Sequence, residues 1–525
     1  MTHREISLGV FGVGEPEEIK SVTLPSGGAL NHMTQNNARV WSSYQNAIFK
    51  DMSEGKGNTV IRAYAGCAKT STCVEGLIRL PSNLQIIVMA FNTGIRDELT
   101  AFLKDYGNIL VKSFHQVGLS LAGRRFPGIR VDNQKGYRCA EKALDAHFGD
   151  KWTRDMVRDV YQLASYGKNT QASAGDLVSV AYLKGYGDDD SETYTPEIVA
   201  DLAVKAMEHA ANDTKTLDFD DMVWFPSKFN LLNHKYDLVV VDETQDCNAS
   251  QLWIVKHSAK LKRGRIIAVG DEHQAIYGFR GADTQAIPRM IRELSAKVLP
   301  LSITYRCPKS VVAMAQVYVP DYQAHAEAPE GLIVKSNLPD LFANARPGDF
   351  VISRKNAPLT RICLGLLKAG TPACIAGKNE IGASLIKLLE KAKTDDLDQA
   401  LGFLAKFADK ECARLEARNQ DKQAELLRDK VEAIEALAEG ETTVKGFVRK
   451  VETLFVEIKD EAGKEVRLRR PMVVCTSTHK AKGLERDRVF LLERTFSDKG
   501  VEERNLRYVA MTRTKRELHL VEGEV

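Results

Sequence analysis

"IRAYAGCAKTST", Ile61 to Thr72, sets a lysine and a threonine at the end of a small-residue loop that follows an apolar run. These residue types suit phosphate. Backbone N–H groups at a helix start face the anion, Lys69 adds a point charge, and Thr70 offers a hydroxyl to Mg²⁺. The cradle would comprise Ala65, Gly66, Cys67, Ala68, Lys69, Thr70 and Ser71. It departs twice from G-x-x-x-x-G-K-[ST], with Ala63 and Ala68 where glycines are usual, so alone it is a weak signal. "YDLVVVDETQD" supplies a second part. Its apolar residues Leu238 to Val241 read as a buried strand delivering Asp242 and Glu243 to its carboxyl end, where buried acids are costly without a cation or proton to handle. That suits metal binding by Asp242 and water activation by Glu243. In "VGDEHQAIYGFRGA", Gln274 can hydrogen-bond a phosphate, Tyr277 and Phe279 offer flat faces to unpaired bases, and Arg280 offers charge to their backbone.

The elements that must position these groups show in the apolar pattern. "TVIRAYA", "LQIIVMAF" and "NILVKSF" read as strands, alternating with helices from about Thr70 and around "RDELTAFLKDY". Such alternation implies a parallel sheet covered by helices, with functional loops at the carboxyl ends of the strands. From about 116 to 214 the apolar residues fall at helical spacing, as in an inserted helical segment. Strands resume at "YDLVVVDE" and "GRIIAVGDE". A second α/β region has strands at "GDFVISR", "TPACIAG", "PMVVCTST" and "RVFLLE". It is interrupted at roughly 385 to 469 by a helical stretch of mixed charge, which reads as a solvent-facing hairpin. Residues 1 to about 40, rich in Gly, Pro, Asn and Ser, read as an irregular arm.

The chain has 525 residues, enough for roughly three or four domains. Hydrophobic residues at 44% and charged residues at 27% exclude a disordered or fibrous chain. The 73 basic and 70 acidic residues nearly balance, so any polyanion site must be a local patch. Nine cysteines scattered without a C-x-x-C pair disfavour a disulfide framework and a zinc ribbon. There is no leader pattern and no apolar run near ~18 residues, so a soluble, intracellular protein without a membrane segment is expected.

Nine segments in order then resemble the motifs of the UvrD/Rep/PcrA-like superfamily 1 DNA helicases, with some similarity to the F-box-type branch but no F-box. They are "AYAGCAKTST", "MAFNTGIRDEL", "SFHQVG", "LDFDDMV", "VVVDETQD", "VGDEHQAIYGFRGA", "LSITYRCPKSV", "TSTHKAKGLERDRVFL" and "RNLRYVAMTRTKREL". The resemblance implies an α/β fold of two RecA-like P-loop motor domains with parallel sheets, each carrying a mainly helical insertion. The first motor would take residues 1–115 and 215–295 around insertion 116–214. The second would take 296–384 and 470–525 around a short insertion, 385–469.

The resemblance further implies that Lys69, Gln274, Arg306 and Arg513 reach the phosphates, with Glu243 as base and Thr70 and Asp242 on Mg²⁺. Tyr305 would stack on adenine, Gln45 would read it, and Glu485 would touch the sugar. Phe91, His115, Tyr277, Phe279 and Arg280 would line a single-strand track. The expected activity is an ATP-dependent helicase or translocase, moving 3′ to 5′ on single-stranded DNA and unwinding duplex at junctions in replication, repair or recombination. It would act as a monomer, cytoplasmic in a bacterial or phage-infected cell and nuclear in a eukaryote, with replication or repair proteins as partners. A protein-displacing translocase, an RNA-directed motor and a DNA-binding protein whose ATPase decayed through Ala68 stay open. Two further departures stand out. Asn92-Thr93-Gly94 replaces the family's Thr-Asn-Lys, and the last motif stands close to the final residue, so no appended nuclease is expected.

Overall fold

Six short runs build the first sheet: β1 (Thr59–Ala63), β2 (Ile86–Ala90), β3 (Ile109–Ser113), β4 (Leu238–Val241), β5 (Arg265–Gly270) and β6 (Lys297–Leu301). Every pairing is parallel, in the order β3-β2-β4-β5-β1-β6. β2 and β4 are buried at every residue, which is why they read as unbroken apolar runs. The computed structural model describes residues 40–523, apart from 188–192, 279–284, 418–419, 461–464, 467, 469 and 498. The edge strand β6, "KVLPL", continues this sheet beyond residue 295. Pro300 pairs opposite Arg62 of β1, a position an edge strand tolerates, and the exposure of Lys297, Val298 and Pro300 hides it from an apolar-run search.

The second sheet holds β7 (Leu332–Ser336), β8 (Phe350–Ser353), β9 (Ala373–Ala376), β10 (Phe455–Val456), β11 (Val473–Ser477), β12 (Arg486–Leu492) and β13 (Thr514–Val521). It too is parallel throughout, in the order β7-β13-β12-β8-β11-β9-β10. The molecule is thus α/β with two parallel sheets, consistent with two RecA-like domains. From Trp41 onward it forms one compact unit. One apolar cluster runs from Ile61, Val88 and Val240 of the first sheet through Tyr322 and Tyr508 to Leu491 of the second.

Each sheet is interrupted by helices. Lys135–Phe148, Arg154–Thr170, Ala174–Lys184 and Pro196–Asn212 close around Leu144, Val160, Leu163 and Leu202, and the chain returns through the helix Phe219–Lys228. Beneath that returning helix lies a buried quartet of charges. Lys135 Nζ is 2.8 Å from Asp221, and Lys168 Nζ is 2.7 Å from Asp221 and 3.3 Å from Asp218. The second insertion comprises Ala383–Leu389, Leu397–Ala417, Asp421–Ala438 and Val444–Leu454, and its core of Leu404, Ile434 and Phe447 merges with Cys475 and Phe490 of the second sheet. The insertions touch where Gln423 donates to the Lys184 carbonyl at 2.6 Å and Gln420 to that of Tyr182 at 3.4 Å. All nine cysteines are buried and unbridged. Among the described residues no helix is long and apolar enough to cross a membrane.

Candidate active site

The loop after β1 turns into the helix Lys69–Ile78 without a side-chain cap. Its first N–H groups, those of Lys69, Thr70 and Ser71, therefore meet no acceptor among the described residues and are available to an anion. Ala68, the residue before the lysine, sits at φ 58°, ψ 41°, in the left-handed region that costs an alanine about 1–2 kcal/mol. Gly66 is required twice over. Its φ is +70°, and a Cβ there would lie 2.5 Å from Thr304 Oγ1 and 2.6 Å from Arg306 Cβ.

Side chains and backbone from beyond β6 hold this loop. Tyr305 N–H donates to the Gly66 carbonyl at 2.9 Å, and Tyr322 Oη donates to the Ala65 carbonyl at 2.7 Å. Tyr508 Oη accepts from Ala65 N–H at 3.1 Å and reaches Asp271 at 3.3 Å. Cys67, wholly buried, has its thiol pushed up by burial.

Lys69 Nζ lies 3.2 Å from Glu243 Oε1. Burial would lower its pKa, but Glu243, Asp271 and Asp242 together raise it. Asp242 and Glu243 stand at the end of β4, with Glu243 in the left-handed region at φ 51° and its N–H donating to Asp242 Oδ1 at 2.9 Å. Burial, then the charge of Glu243, holds the Asp242 carboxyl well above its ordinary range. Glu243 goes the other way, because Lys69 and Lys482 outweigh its burial, and Gln245 also donates to it. Gln274 is buried, with Nε2 donating to Asp271 Oδ2 at 2.7 Å.

Two arginines from beyond β6 belong to the same neighbourhood, one of them at a strand beginning of the second sheet. Arg306 Nε is 2.5 Å from Glu485, just before β12, and that carboxylate raises the guanidinium pKa against its burial. Arg513, just before β13, is 1% exposed and bonded to Val509 O, Leu484 O and Thr512 Oγ1. Burial, then Arg306, pulls its pKa down to about 10. Gln45 is buried beside the phosphate loop, donating to Thr72 Oγ1 at 2.9 Å and accepting from Tyr305 Oη at 3.2 Å. Tyr305 is 42% exposed, and its ring lies 4.9 Å from that of His325.

Sequence reasoning missed Asp271, Tyr322, Tyr508 and the pair Asp246–Lys482. Asp271 had a usable signal, since it follows the apolar run of β5 as Asp242 follows β4.

Among the track residues, Phe91 follows β2 and is half-buried, and the His115 ring lies 5.8 Å from that of exposed Phe219. Burial lowers the His115 pKa against Asp220. Tyr277 Oη donates to the His479 carbonyl at 3.4 Å. Phe279 and Arg280 lie outside the described residues. Asn92 accepts from Ile95 N–H at 2.9 Å, capping the helix Thr93–Leu103.

No cluster of three or more His, Cys, Asp or Glu suited to a metal occurs among the described residues. The donors Thr70 and buried Asp242, with phosphate and water filling other positions, nonetheless fit Mg²⁺, which seldom uses an all-protein cage.

The family model described as UvrD/REP helicase N-terminal domain matches residues 44–295, and that for the UvrD-like helicase C-terminal domain matches 472–521. The chain is 24% identical over 286 residues to an ATP-dependent DNA helicase Rep of Buchnera aphidicola, covering 49% of this chain and 42% of that protein. It is 22% identical over 374 residues to an ATP-dependent DNA helicase PcrA of Leuconostoc citreum, covering 61% and 48%. With UvrD2 of Mycobacterium tuberculosis, named an ATP-dependent DNA helicase, it shares 27% over 382 residues, covering 60% and 53%. The chain thus spans about half the length of the curated relatives it matches. The two family matches together take in more than half of the chain and include strands of both parallel sheets, so the chain belongs to the UvrD/Rep-like family of superfamily 1.

Proposed function

We propose that this protein is an ATP-dependent DNA helicase or translocase that moves 3′ to 5′ along single-stranded DNA. The observation that carries this reading is the approach of Arg306 to the phosphate loop, where its Cβ lies 2.6 Å from the position a Gly66 side chain would occupy. A guanidinium delivered from outside the first sheet stabilises phosphoryl-transfer charge only when the cleft is shut, which ties hydrolysis to domain closure.

In this reading the uncapped helix start and Lys69 bind the triphosphate, and Tyr305 and Gln45 take the adenine side. Glu243, kept ionised by Lys69 and Lys482, accepts the proton of the attacking water. Gln274 senses the transferred phosphate, Arg306 and Arg513 stabilise its charge, and Glu485 holds Arg306 in place while touching the sugar. Thr70 and Asp242 would hold Mg²⁺, which neutralises charge on the phosphates. Phe91, His115 and Tyr277, with Phe279 and Arg280, form a sequence-tolerant stacking track. The relatives, each named an ATP-dependent DNA helicase, support DNA as the track; action at junctions met in replication or repair is part of the same reading.

The test is ATP turnover with no nucleic acid, single-stranded DNA, duplex DNA and single-stranded RNA, in wild type and Lys69→Ala. Stimulation by single-stranded DNA, lost with Lys69, is expected. Stimulation by RNA alone redirects the motor to RNA, and wild type as inert as Lys69→Ala would make this a binding protein with a decayed loop.

A further inference from the structure

Lys482 stands where the two motors, the nucleotide cluster and the strand track meet. It follows the short helix Thr478–Ala481 after β11, and its ammonium crosses from the second motor to the first. There it lies 2.7 and 2.9 Å from the two carboxylate oxygens of Asp246 and 2.8 Å from the main-chain carbonyl of Gln274. It also stands 4.8 Å from the centroid of the Tyr277 ring.

Both partners are sequestered, the Lys482 side chain being 10% and that of Asp246 4% exposed. Asp246 N–H donates to the Glu243 carbonyl at 3.0 Å, so the main chain of the residue that holds Lys482 closes the turn that presents the candidate base. The main-chain carbonyl of Lys482 accepts from Lys459, on the segment returning from the second insertion. One ammonium therefore touches the base turn, the backbone of the candidate phosphate sensor and the face of a candidate stacking ring.

We propose that Lys482 is a positioning residue that couples nucleotide binding to strand binding through its buried bridge to Asp246. This rests on the motor reading above. A buried ion pair is strongly disfavoured half-made, because the abandoned charge has neither water nor partner. Separation of the two motors at this point must release Asp246, the Gln274 carbonyl and the Tyr277 ring together. The bridge is thus a two-position element that both ligands bias, which is the physical requirement for coupling between sites.

The test measures the affinity of a fluorescent oligo-dT for the full chain, with and without a non-hydrolysable ATP analogue and Mg²⁺. It compares wild type, Lys482→Gln, Asp246→Asn and the double variant, each checked for its unfolding midpoint. In wild type the affinity ratio should depart from one by a factor within the ~5–150-fold range of coupled sites. The ratio should fall towards one in each single variant, and the double variant should be no worse than either, since all three lose the same contact. A purely structural role would shift the unfolding midpoint and leave the ratio in place.

A folded Lys482→Gln protein with the wild-type ratio overturns the proposal, and so do additive losses in the double variant. Should Lys482→Gln fail to fold, the near-isosteric Asp246→Asn decides between the two outcomes by its own ratio. A wild-type ratio of one would sink the motor reading and this inference with it, whereas retained ratios in the variants alone would sink only the inference.

Discussion

Two buried charge clusters sit in this molecule, and they are built to opposite rules. Under the returning helix Phe219–Lys228, Lys135 and Lys168 face Asp218 and Asp221, two cations against two anions, all under 9% exposed. Further groups support the quartet. Lys135 also donates to the Asp213 and Thr216 carbonyls, Asp218 accepts the Asp221 N–H, and the Phe225 ring lies 4.7 Å from Lys135 Nζ. Burial would lower the Lys168 pKa, but Asp221 and Asp218 raise it. At the phosphate loop, by contrast, carboxylates outnumber cations: Glu243, Asp242 and Asp271 face Lys69, and Lys482 also acts on Glu243. A closed cluster fixes the insertion against the motor, whereas a surplus of carboxylates is of use only where a cation is to be bound.

The comparison breaks most visibly at Glu243. Glu243→Gln should lower strand-stimulated turnover by about 10²–10⁴-fold while ATP binding and the unfolding midpoint stay close to wild type. Retained turnover removes Glu243 from the chemistry, and a collapsed fold makes its cluster structural like the other. At the balanced cluster the cost should fall on stability instead. Lys168→Met should lose on the order of 3–5 kcal/mol in urea unfolding, because it strands buried carboxylates, and a loss below about 1 kcal/mol would show that water reaches the quartet. A smaller effect sharpens the view of the site as strained. Ala68→Gly relieves a left-handed alanine and should shift ATP affinity by less than about tenfold, or ~1.4 kcal/mol, measured by titration.

The smallest effect is in pH. Burial pushes the Asp246 carboxyl up to about 6 from an ordinary value of 3.8, against the pull of Lys482. A carboxyl raised on folding contributes stability that is complete below its unfolded value and is lost as pH climbs through the folded one. Wild type should therefore lose stability relative to Asp246→Asn between about pH 4 and pH 6, and parallel unfolding curves across that window would refute the shift.

What the sequence disclosed follows the same division. Strands buried on both faces, such as β2 and β4, announce themselves as apolar runs, and the acids at the carboxyl end of β4 are conspicuous because nothing structural asks for them. β6 and β7 stayed hidden, since partly exposed edge strands carry polar residues and, in β6, a proline. Lys135 and Lys168 look like solvent-facing helix charges, because partners as distant as Asp221 leave no local spacing to read. The clamp of Tyr322 and Tyr508 on Ala65 is likewise set by tertiary packing alone.

The nine buried cysteines have a practical consequence. Thiol reagents need both access and the thiolate, and burial denies the first while pushing groups such as Cys67, Cys73 and Cys247 away from the second. A cysteine introduced at an exposed site such as Val317 or Leu261 would then be labelled by maleimide dyes ahead of every native thiol. Paired dyes on the two motors could follow cleft closure by energy transfer in single molecules, without first stripping the protein of its own cysteines.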